Sequence, residues 1–140
     1  MPINGFNKTT LLDYPGKIAS TIFLGGCNFR CPFCQNSSLV LSPNKQPVIS
    51  TEEVLSVLKK RQGILEGVCI TGGEPTSDKE LFLLIDKIKE LGYPVKLDTN
   101  GSHPWILKKL VNDQMIDMVA MDIKSSKESY AKVSLSLIHI

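Results

Sequence analysis

The sequence has no apolar run approaching the roughly 20 residues that a membrane-spanning helix needs. It also has little excess charge: 16 Lys and Arg face 14 Asp and Glu, and a net charge of +2 gives no argument for nucleic acid or an anionic membrane as a partner. The opening residues Met1-Pro2-Ile3-Asn4 do not begin a secretory signal. We therefore expect a cytoplasmic protein that binds neither nucleic acid nor a membrane.

Cysteine and histidine are also scarce, with four and two residues respectively. A chain with four cysteines and no secretory signal is not expected to depend on a disulfide framework. His103 and His139 do not have the spacing of a zinc finger. The rest of the composition, with 42% hydrophobic and 21% charged residues, is ordinary for a soluble globular protein. At 140 residues the chain is one domain at most and is large enough to bury a core.

Three of the cysteines nevertheless lie close together, at Cys27, Cys31 and Cys34. They follow an apolar run over residues 18–24, which predicts a buried strand, and a Gly-Gly pair that lets the backbone fold tightly. Three thiolates on one short loop make a site for a soft metal centre. Because iron–sulfur clusters usually take four cysteine ligands, a set of three suggests a cluster with one iron open to another ligand.

A zinc site is the alternative interpretation of these cysteines. A structural zinc site needs four ligands, and the fourth cysteine, Cys69, lies far along the chain from Cys34. Cys69 stands between Val68 and Ile70 in a predicted strand, where a buried cysteine commonly behaves as a small hydrophobic residue. We favour that interpretation over a fourth ligand.

Strand and helix patterns alternate along the chain. Strands are predicted at residues 18–24, 67–71, 94–98 and 117–123, and a polar connector at residues 37–48. Helices are predicted after capping residues Ser50, Ser77 and Ser102, the second ending at Gly92 and the third spanning residues 104–112. A Pro-Gly turn is predicted within residues 12–17. This order gives four βα-type steps and an α/β fold with a parallel sheet and right-handed crossovers.

The second predicted strand ends in Gly72, Gly73 and Glu74. The two glycines open the backbone to close approach by a ligand, and Glu74 offers a carboxylate suited to a cationic amine. The alternative is a strand-to-helix turn with a surface glutamate. Because loops at the carboxyl ends of parallel strands share one face of the sheet, we expect this segment and the cysteine loop to form one site.

Two further strands also end in polar residues. Asp98, Thr99 and Asn100 follow the third strand and supply short polar groups for a ribose or a carboxylate, although a plain turn also explains them. Asp122 and Lys124 end the fourth strand, and an ordinary salt bridge explains this pair equally well.

The Cys-x3-Cys-x2-Cys loop followed by Gly-Gly-Glu-Pro resembles the radical S-adenosylmethionine (SAM) enzymes, and the wider sequence resembles their glycyl-radical-enzyme activase branch, in particular the activating proteins of anaerobic ribonucleoside-triphosphate reductase. The resemblance implies that Cys27, Cys31 and Cys34 hold a 4Fe–4S cluster, with Phe33 in the aromatic slot of the motif. It further implies a partial TIM-type (β/α)6 barrel, truncated here to about four βα units.

The same resemblance assigns roles to the other strand ends. Gly72, Gly73 and Glu74 would bind the amino group of SAM, while the remaining candidates would help hold the cofactor. These are Asp98, Thr99, Asn100, Asp122 and Lys124. The implied reaction is the reductive cleavage of SAM to a 5′-deoxyadenosyl radical, with electrons from a flavodoxin- or ferredoxin-type reductant. The implied substrate is a backbone glycine of anaerobic ribonucleotide reductase.

Three alternatives remain open at this point. One alternative is a radical SAM enzyme acting on a small molecule, such as a 7-carboxy-7-deazaguanine synthase. An activase of another glycyl-radical enzyme is a nearer alternative. The non-catalytic alternative is a zinc- or cluster-binding module.

The last six residues, 135–140, match a translated transposase end from sequencing libraries. We therefore expect residues 1–134 to be the core domain and residues 135–140 to be an adapter-derived artefact, and we expect the gene to be longer. A genuine apolar strand is the alternative there.

Overall fold

The structure is a computed structural model that describes residues 3–27 and 45–121. Within these ranges five strands form one sheet in the order β1-β2-β3-β4-β5. Strands β2 to β5 are parallel, and β1 pairs antiparallel with β2 at the edge. The strands are β1 (Ile3–Thr10), β2 (Ala19–Leu24), β3 (Gly67–Gly72), β4 (Val95–Thr99) and β5 (Met118–Met121).

Helices connect the successive parallel strands. They are α1 (Thr51–Lys60), α2 (Leu81–Glu90) and α3 (Pro104–Asn112), and a short 3-10 helix, Pro75–Ser77, follows β3. The alternation of strands and helices predicted from the sequence is therefore confirmed, with strand ends shifted by one or two residues. The predicted fourth strand extends beyond Met121 into residues outside the described part of the chain. No helix within the described ranges is long and apolar enough to cross a membrane.

Strand β1 was not predicted. Its sequence, INGFNKTT, alternates poorly and contains several polar residues, which are depleted in strands. The strand forms because an edge position tolerates such residues on its solvent side, while Ile3 is fully buried in the core. Ile3 also accepts a hydrogen bond from the backbone N–H of Ile49 at 2.8 Å, which attaches the segment before α1 to this edge.

The hydrophobic core lies between the sheet and the helices. Alternate residues of the central strands, including Ile70 and Leu97, face the buried side of α2. Each fully buried side chain of this size contributes roughly 1.5–3 kcal/mol relative to exposure. The sheet-facing side of α2 is formed by residues at spacings of three and four, as predicted from the sequence: Leu81, Leu84, Ile85 and Ile88.

The three predicted helix caps have different outcomes. The Ser50 hydroxyl accepts from the Glu53 N–H at 3.1 Å, which confirms the cap of α1. The predicted cap at Ser77 is wrong: Ser77 ends the 3-10 helix, and α2 begins four residues later. The predicted cap at Ser102 is also wrong: the N-cap residue of α3 is His103, and the Ser102 hydroxyl donates to the side chain of Asn100.

The Pro-Gly turn before β2 is present, with the Lys17 N–H donating to the Tyr14 carbonyl at 3.1 Å. Tyr14 is 4% exposed and packs against the first residue of β3, where a Cβ on Gly67 would lie 2.9 Å from the Tyr14 ring. This segment therefore covers the amino-terminal end of β3, the end opposite to Gly72-Gly73-Glu74.

Candidate cofactor site

The Gly72-Gly73-Glu74 segment is bound through its backbone to the start of the cysteine loop. The Gly73 N–H donates to the Leu24 carbonyl at 2.9 Å, and the Glu74 N–H donates to the Gly26 carbonyl at 2.8 Å. These bonds continue the parallel pairing of β2 with β3 beyond the last paired residues, Leu24 and Gly72. As predicted from the sequence, the segment and Cys27 therefore lie together at the carboxyl edge of the sheet.

Both glycines are required by this close approach. Gly72 has φ +122°, and a Cβ there would lie 2.2 Å from the Leu24 carbonyl oxygen. A Cβ at Gly73 would lie 1.9 Å from the Gly26 carbonyl oxygen and 3.2 Å from the Cβ of Cys27. Any larger residue at either position would separate the two loops, so the glycines bring the Glu74 segment against the first cysteine.

Glu74 is 2% exposed, and its two carboxylate oxygens have different environments. Oε1 accepts from the Thr76 N–H at 3.2 Å, from the Thr76 hydroxyl, and from the Thr99 hydroxyl at 2.6 Å. Oε2 accepts only from the Asn100 N–H, at 2.6 Å, among the described residues. Since each carboxylate oxygen accepts about two hydrogen bonds, Oε2 retains the capacity for one more donor.

Asn100 connects the two halves of the site. Its backbone N–H binds Glu74, and its side-chain Nδ2 lies 3.8 Å from the Cys27 sulfur. Its Oδ1 accepts from both the backbone N–H and the hydroxyl of Ser102, at 3.0 and 2.7 Å. Of the predicted site residues at the end of β4, Thr99 and Asn100 are thus adjacent to Glu74.

Asp98 is placed differently. Its Oδ1 lies 2.8 Å from Nζ of Lys96, and its Oδ2 accepts a hydrogen bond from the Cys69 thiol at 3.6 Å. The Lys96 ammonium also donates to the carbonyl of Asp13, whose carboxylate accepts from the Thr21 hydroxyl at 2.6 Å. The structure therefore brings Asp98 into a polar network on the sheet face opposite the helices, and does not bring it into contact with Glu74.

Cys69 is buried within this network, as predicted. Burial, followed by the negative charge of Asp98, raises the pKa of the Cys69 thiol to about 12. Metals bind the thiolate form, so a thiol held neutral in this way is a poor ligand.

Two residues adjacent to the site were not predicted to take part in it. The Thr76 hydroxyl donates to Glu74, and its oxygen lies 2.9 Å from Nδ1 of His103. Because the hydroxyl has a single proton, His103 Nδ1 is the donor in that contact. His103 also packs edge-on against Trp105, with ring centroids 5.4 Å apart. The sequence offered one signal for the role of Thr76: it lies two residues after Glu74, and threonine hydroxyls commonly form hydrogen bonds with neighbouring groups in turns.

The remaining predicted site residues, Cys31, Phe33, Cys34, Asp122 and Lys124, lie outside the described residues. Within the ranges 3–27 and 45–121, no three His, Cys, Asp or Glu side chains group closely enough to hold a metal ion. Of the predicted metal ligands, the structure therefore places Cys27 alone, at the edge of the sheet occupied by Glu74.

Comparisons with known proteins identify the family of this chain. The sequence model of the radical SAM superfamily matches residues 21–134 of this chain. A Methanocaldococcus jannaschii protein, provisionally named a glycyl-radical enzyme activating enzyme, is 36% identical over 129 residues, covering 91% of this chain and 52% of its own length. The 7-carboxy-7-deazaguanine synthase of Aquifex aeolicus is 37% identical over 82 residues, covering 58% of this chain and 35% of its own length. The chain thus spans about half, or less, of the length of these relatives.

Solved structures support the same fold. The crystal structure of QueE from Escherichia coli has a TM-score of 0.58 at 26% identity, covering 73% of this chain and 53% of that one. The structure of TYW1 with a lysine–pyruvate adduct bound has a TM-score of 0.55 at 19% identity, covering 85% and 46%. The expected α/β fold, a partial TIM-type barrel, is therefore confirmed. Because the superfamily model matches most of its length, the chain belongs to the radical SAM superfamily.

Proposed function

We propose that this chain holds a 4Fe–4S cluster through Cys27, Cys31 and Cys34, and binds SAM beside that cluster through Glu74. When bound, the cluster and SAM together supply the one-electron reductive chemistry that yields a 5′-deoxyadenosyl radical. The observation that carries the proposal is the backbone bond from Glu74 to Gly26, because it holds an amine-binding carboxylate next to the first cysteine.

The residues at this site fit a 4Fe–4S cluster. Three cysteines in Cys-x3-Cys-x2-Cys spacing supply the soft thiolate ligands that iron–sulfur clusters use. The side chain of Cys27 is partly exposed at the carboxyl edge of the sheet. Gly73 has no side chain to separate Glu74 from this cysteine, since a Cβ there would lie 3.2 Å from the Cys27 Cβ. The donor set is therefore appropriate for the cluster.

Glu74 has the role of binding the amino group of SAM. Its Oε2 retains one acceptor position, and an ammonium group is a donor that would fill it. The hydroxyls of Thr76 and Thr99 hold Oε1 in place, so the carboxylate is oriented before the ligand arrives. A hydrogen bond between charged groups is stronger than one between neutral groups, and the burial of Glu74 protects it from competing water.

The other predicted residues complete the proposed binding site. Thr99 and Asn100 position Glu74, while Asp98 lies on the opposite sheet face and would bind the cofactor only through a part of it that reaches that face. Phe33, Asp122 and Lys124 retain the cofactor-binding roles expected from the sequence, as part of this proposal.

For the substrate, we favour the backbone glycine of a glycyl-radical enzyme, in particular anaerobic ribonucleotide reductase. The 36% identity to the activating-enzyme relative from Methanocaldococcus jannaschii, over 91% of this chain, supports the glycyl-radical class. The choice of the reductase rests on the sequence resemblance alone. The proposed electron donor is a flavodoxin- or ferredoxin-type protein, and the proposed location is the cytoplasm. A second candidate is a small-molecule reaction, which the 37% identity to a 7-carboxy-7-deazaguanine synthase supports over a shorter part of the chain.

The experiment that tests this function is anaerobic reconstitution of the chain with iron and sulfide, followed by reduction in the presence of SAM. We expect a brown protein that contains iron and sulfide and releases methionine and 5′-deoxyadenosine. A colourless protein that binds zinc stoichiometrically would contradict the proposal. Adding either a glycyl-radical reductase or a deazapurine precursor then separates the two substrate classes, since only the true substrate should increase SAM consumption.

A further inference from the structure

We propose that the side-chain amide of Asn100 donates an N–H···S hydrogen bond to Cys27 and thereby raises the reduction potential of the cluster that this sulfur would ligate. The inference rests on the proposed function and deepens it, because it gives the Asn100 side chain a role toward the cluster in place of the SAM contact expected from the sequence. The contact that carries it joins Asn100 Nδ2 and Cys27 Sγ, 3.8 Å apart.

The orientation of this amide is determined by its neighbours. Oxygen and nitrogen of an asparagine side chain are distinguished by their hydrogen-bonding partners. Asn100 Oδ1 accepts from both the N–H and the hydroxyl of Ser102, and a backbone N–H can only donate. The NH2 group must therefore be the end that faces the sulfur of Cys27.

The backbone of Asn100 is also held in place. Its N–H donates to Glu74 Oε2, and the next N–H in the chain, that of Gly101, donates to the Thr99 hydroxyl at 3.1 Å. Gly101 has φ +77°, and a Cβ there would lie 2.5 Å from the sulfur of Met121. Because the turn is anchored on both sides, the amide is a preorganised donor, and its bond to Cys27 does not require ordering of a flexible side chain.

The electrostatic consequence has a definite sign. Cys27 is a thiolate when it binds iron, and a thiolate is a stronger hydrogen-bond acceptor than a thiol. The positive end of the amide dipole stabilises negative charge on the sulfur, and the reduced cluster carries one more negative charge than the oxidised cluster. Hydrogen bonds to cluster sulfurs are among the factors that set cluster potentials. The Asn100 amide therefore favours the reduced state.

The test is a redox titration of the reconstituted full chain, followed by EPR, for the wild type and the N100D variant. Asp at this position keeps Oδ1 for Ser102 and the backbone N–H for Glu74, but it turns a carboxylate oxygen toward the sulfur. The matched control is N7D, which adds the same charge at an exposed asparagine whose Oδ1 accepts a similar local bond from Thr9.

We expect the ratio of reduced to oxidised cluster, at a fixed potential, to fall at least about tenfold in N100D, equivalent to about 59 mV for one electron. The ratio in N7D should stay unchanged. Equal potentials in N100D and N7D would overturn the inference. If N100D cannot keep its cluster, N100A decides in the same way: a lower potential supports the contact, and an unchanged potential overturns it. Failure of the wild-type chain to assemble any cluster is a different result, which overturns the proposed function and this inference with it.

Discussion

Gly73 and Gly26 face each other so closely that a Cβ on Gly73 would lie 1.9 Å from the Gly26 carbonyl oxygen. The Glu74 N–H, next along the chain, donates to that same oxygen at 2.8 Å. One carbonyl therefore fixes the distance between the loop that carries the cysteines and the loop that carries the buried carboxylate. Two parts of the chain nearly fifty positions apart become one site through this contact.

The first prediction concerns Gly73→Ala. The added methyl group must push the two loops apart, and overpacking of this kind costs about 1–3 kcal/mol. We expect lower thermal stability and a several-fold loss of bound iron after reconstitution, measured by calorimetry and iron analysis. Gly63→Ala is the control. The backbone of Gly63 has φ +89°, which disfavours any side chain, but an added Cβ would meet no described atom within 4 Å. This variant should therefore lose stability and keep its iron. Full iron content in Gly73→Ala would contradict the role of the contact.

The second prediction concerns Glu74→Gln. Glutamine has nearly the same shape, but with its oxygen kept at the three donors around Oε1, its NH2 group faces the Asn100 N–H and repels a ligand ammonium. A hydrogen bond to a charged group contributes about 1.5–3 kcal/mol, so SAM affinity should fall about tenfold to a hundredfold.

Equilibrium binding of SAM to the reconstituted variant measures this effect. Glu90→Gln, at an exposed position at the end of α2, is the matched control and should bind SAM normally. Equal affinities in the two variants would exclude Glu74 from the amine contact.

The third prediction distinguishes Cys27, a proposed iron ligand, from Cys69. Cys69 is held neutral by a pKa of about 12, arising from its burial and from the charge of Asp98, and we expect it to bind no iron. Cys69→Ala should therefore retain the iron content of the wild type, whereas Cys27→Ala should lose the cluster because two thiolates cannot hold it. Iron and sulfide analysis of both variants decides the matter. A loss of iron in Cys69→Ala would make this residue a fourth iron ligand and contradict a cluster with one open iron.

The fourth prediction concerns stability at acidic pH. Burial alone would raise the pKa of Asp117, but hydrogen bonds from Lys89 at 2.7 Å and the Val95 N–H at 2.8 Å outweigh it and lower that pKa. Since the folded-state pKa lies below the unfolded value of about 3.9, the stabilisation is present above that pH and is lost as the pH falls through the folded pKa.

Asp117→Asn should therefore lower the melting temperature of the cluster-free protein by a few degrees at pH 6, and the difference from the wild type should shrink below about pH 4. Asp113→Asn, at an exposed position after α3, should differ little from the wild type at either pH. A constant difference for Asp117→Asn across this range would mean that the carboxylate charge contributes nothing.

The alternation of strands and helices along the chain was predictable because residues 18–24, 67–71 and 94–98 are short apolar runs separated by amphipathic helical patterns. β1 was not predictable from its residues, since an edge strand needs little hydrophobic alternation. The caps at Ser77 and Ser102 failed because each serine is held in a local turn that the capping pattern does not reveal.

The candidate site was predicted at the level of loops but not of contacts. Glu74 and Cys27 were expected on one face because parallel strands place their carboxyl ends together. A turn at Asn100 was indicated by the sequence, but its contacts with Glu74 and with Cys27 depend on side-chain and backbone orientations that the turn pattern does not specify. Asp98 and Thr99 are neighbours in sequence yet point to opposite faces of the sheet, so only Thr99 reaches Glu74, as the period-two geometry of a strand requires.

The most direct test of the central claim is the EPR spectrum of the reduced, reconstituted chain, recorded with and without SAM. Our account predicts an iron–sulfur signal that changes when SAM binds at the open iron, and that changes far less in Glu74→Gln at the same SAM concentration. A signal that is identical with and without SAM in the wild type would contradict it.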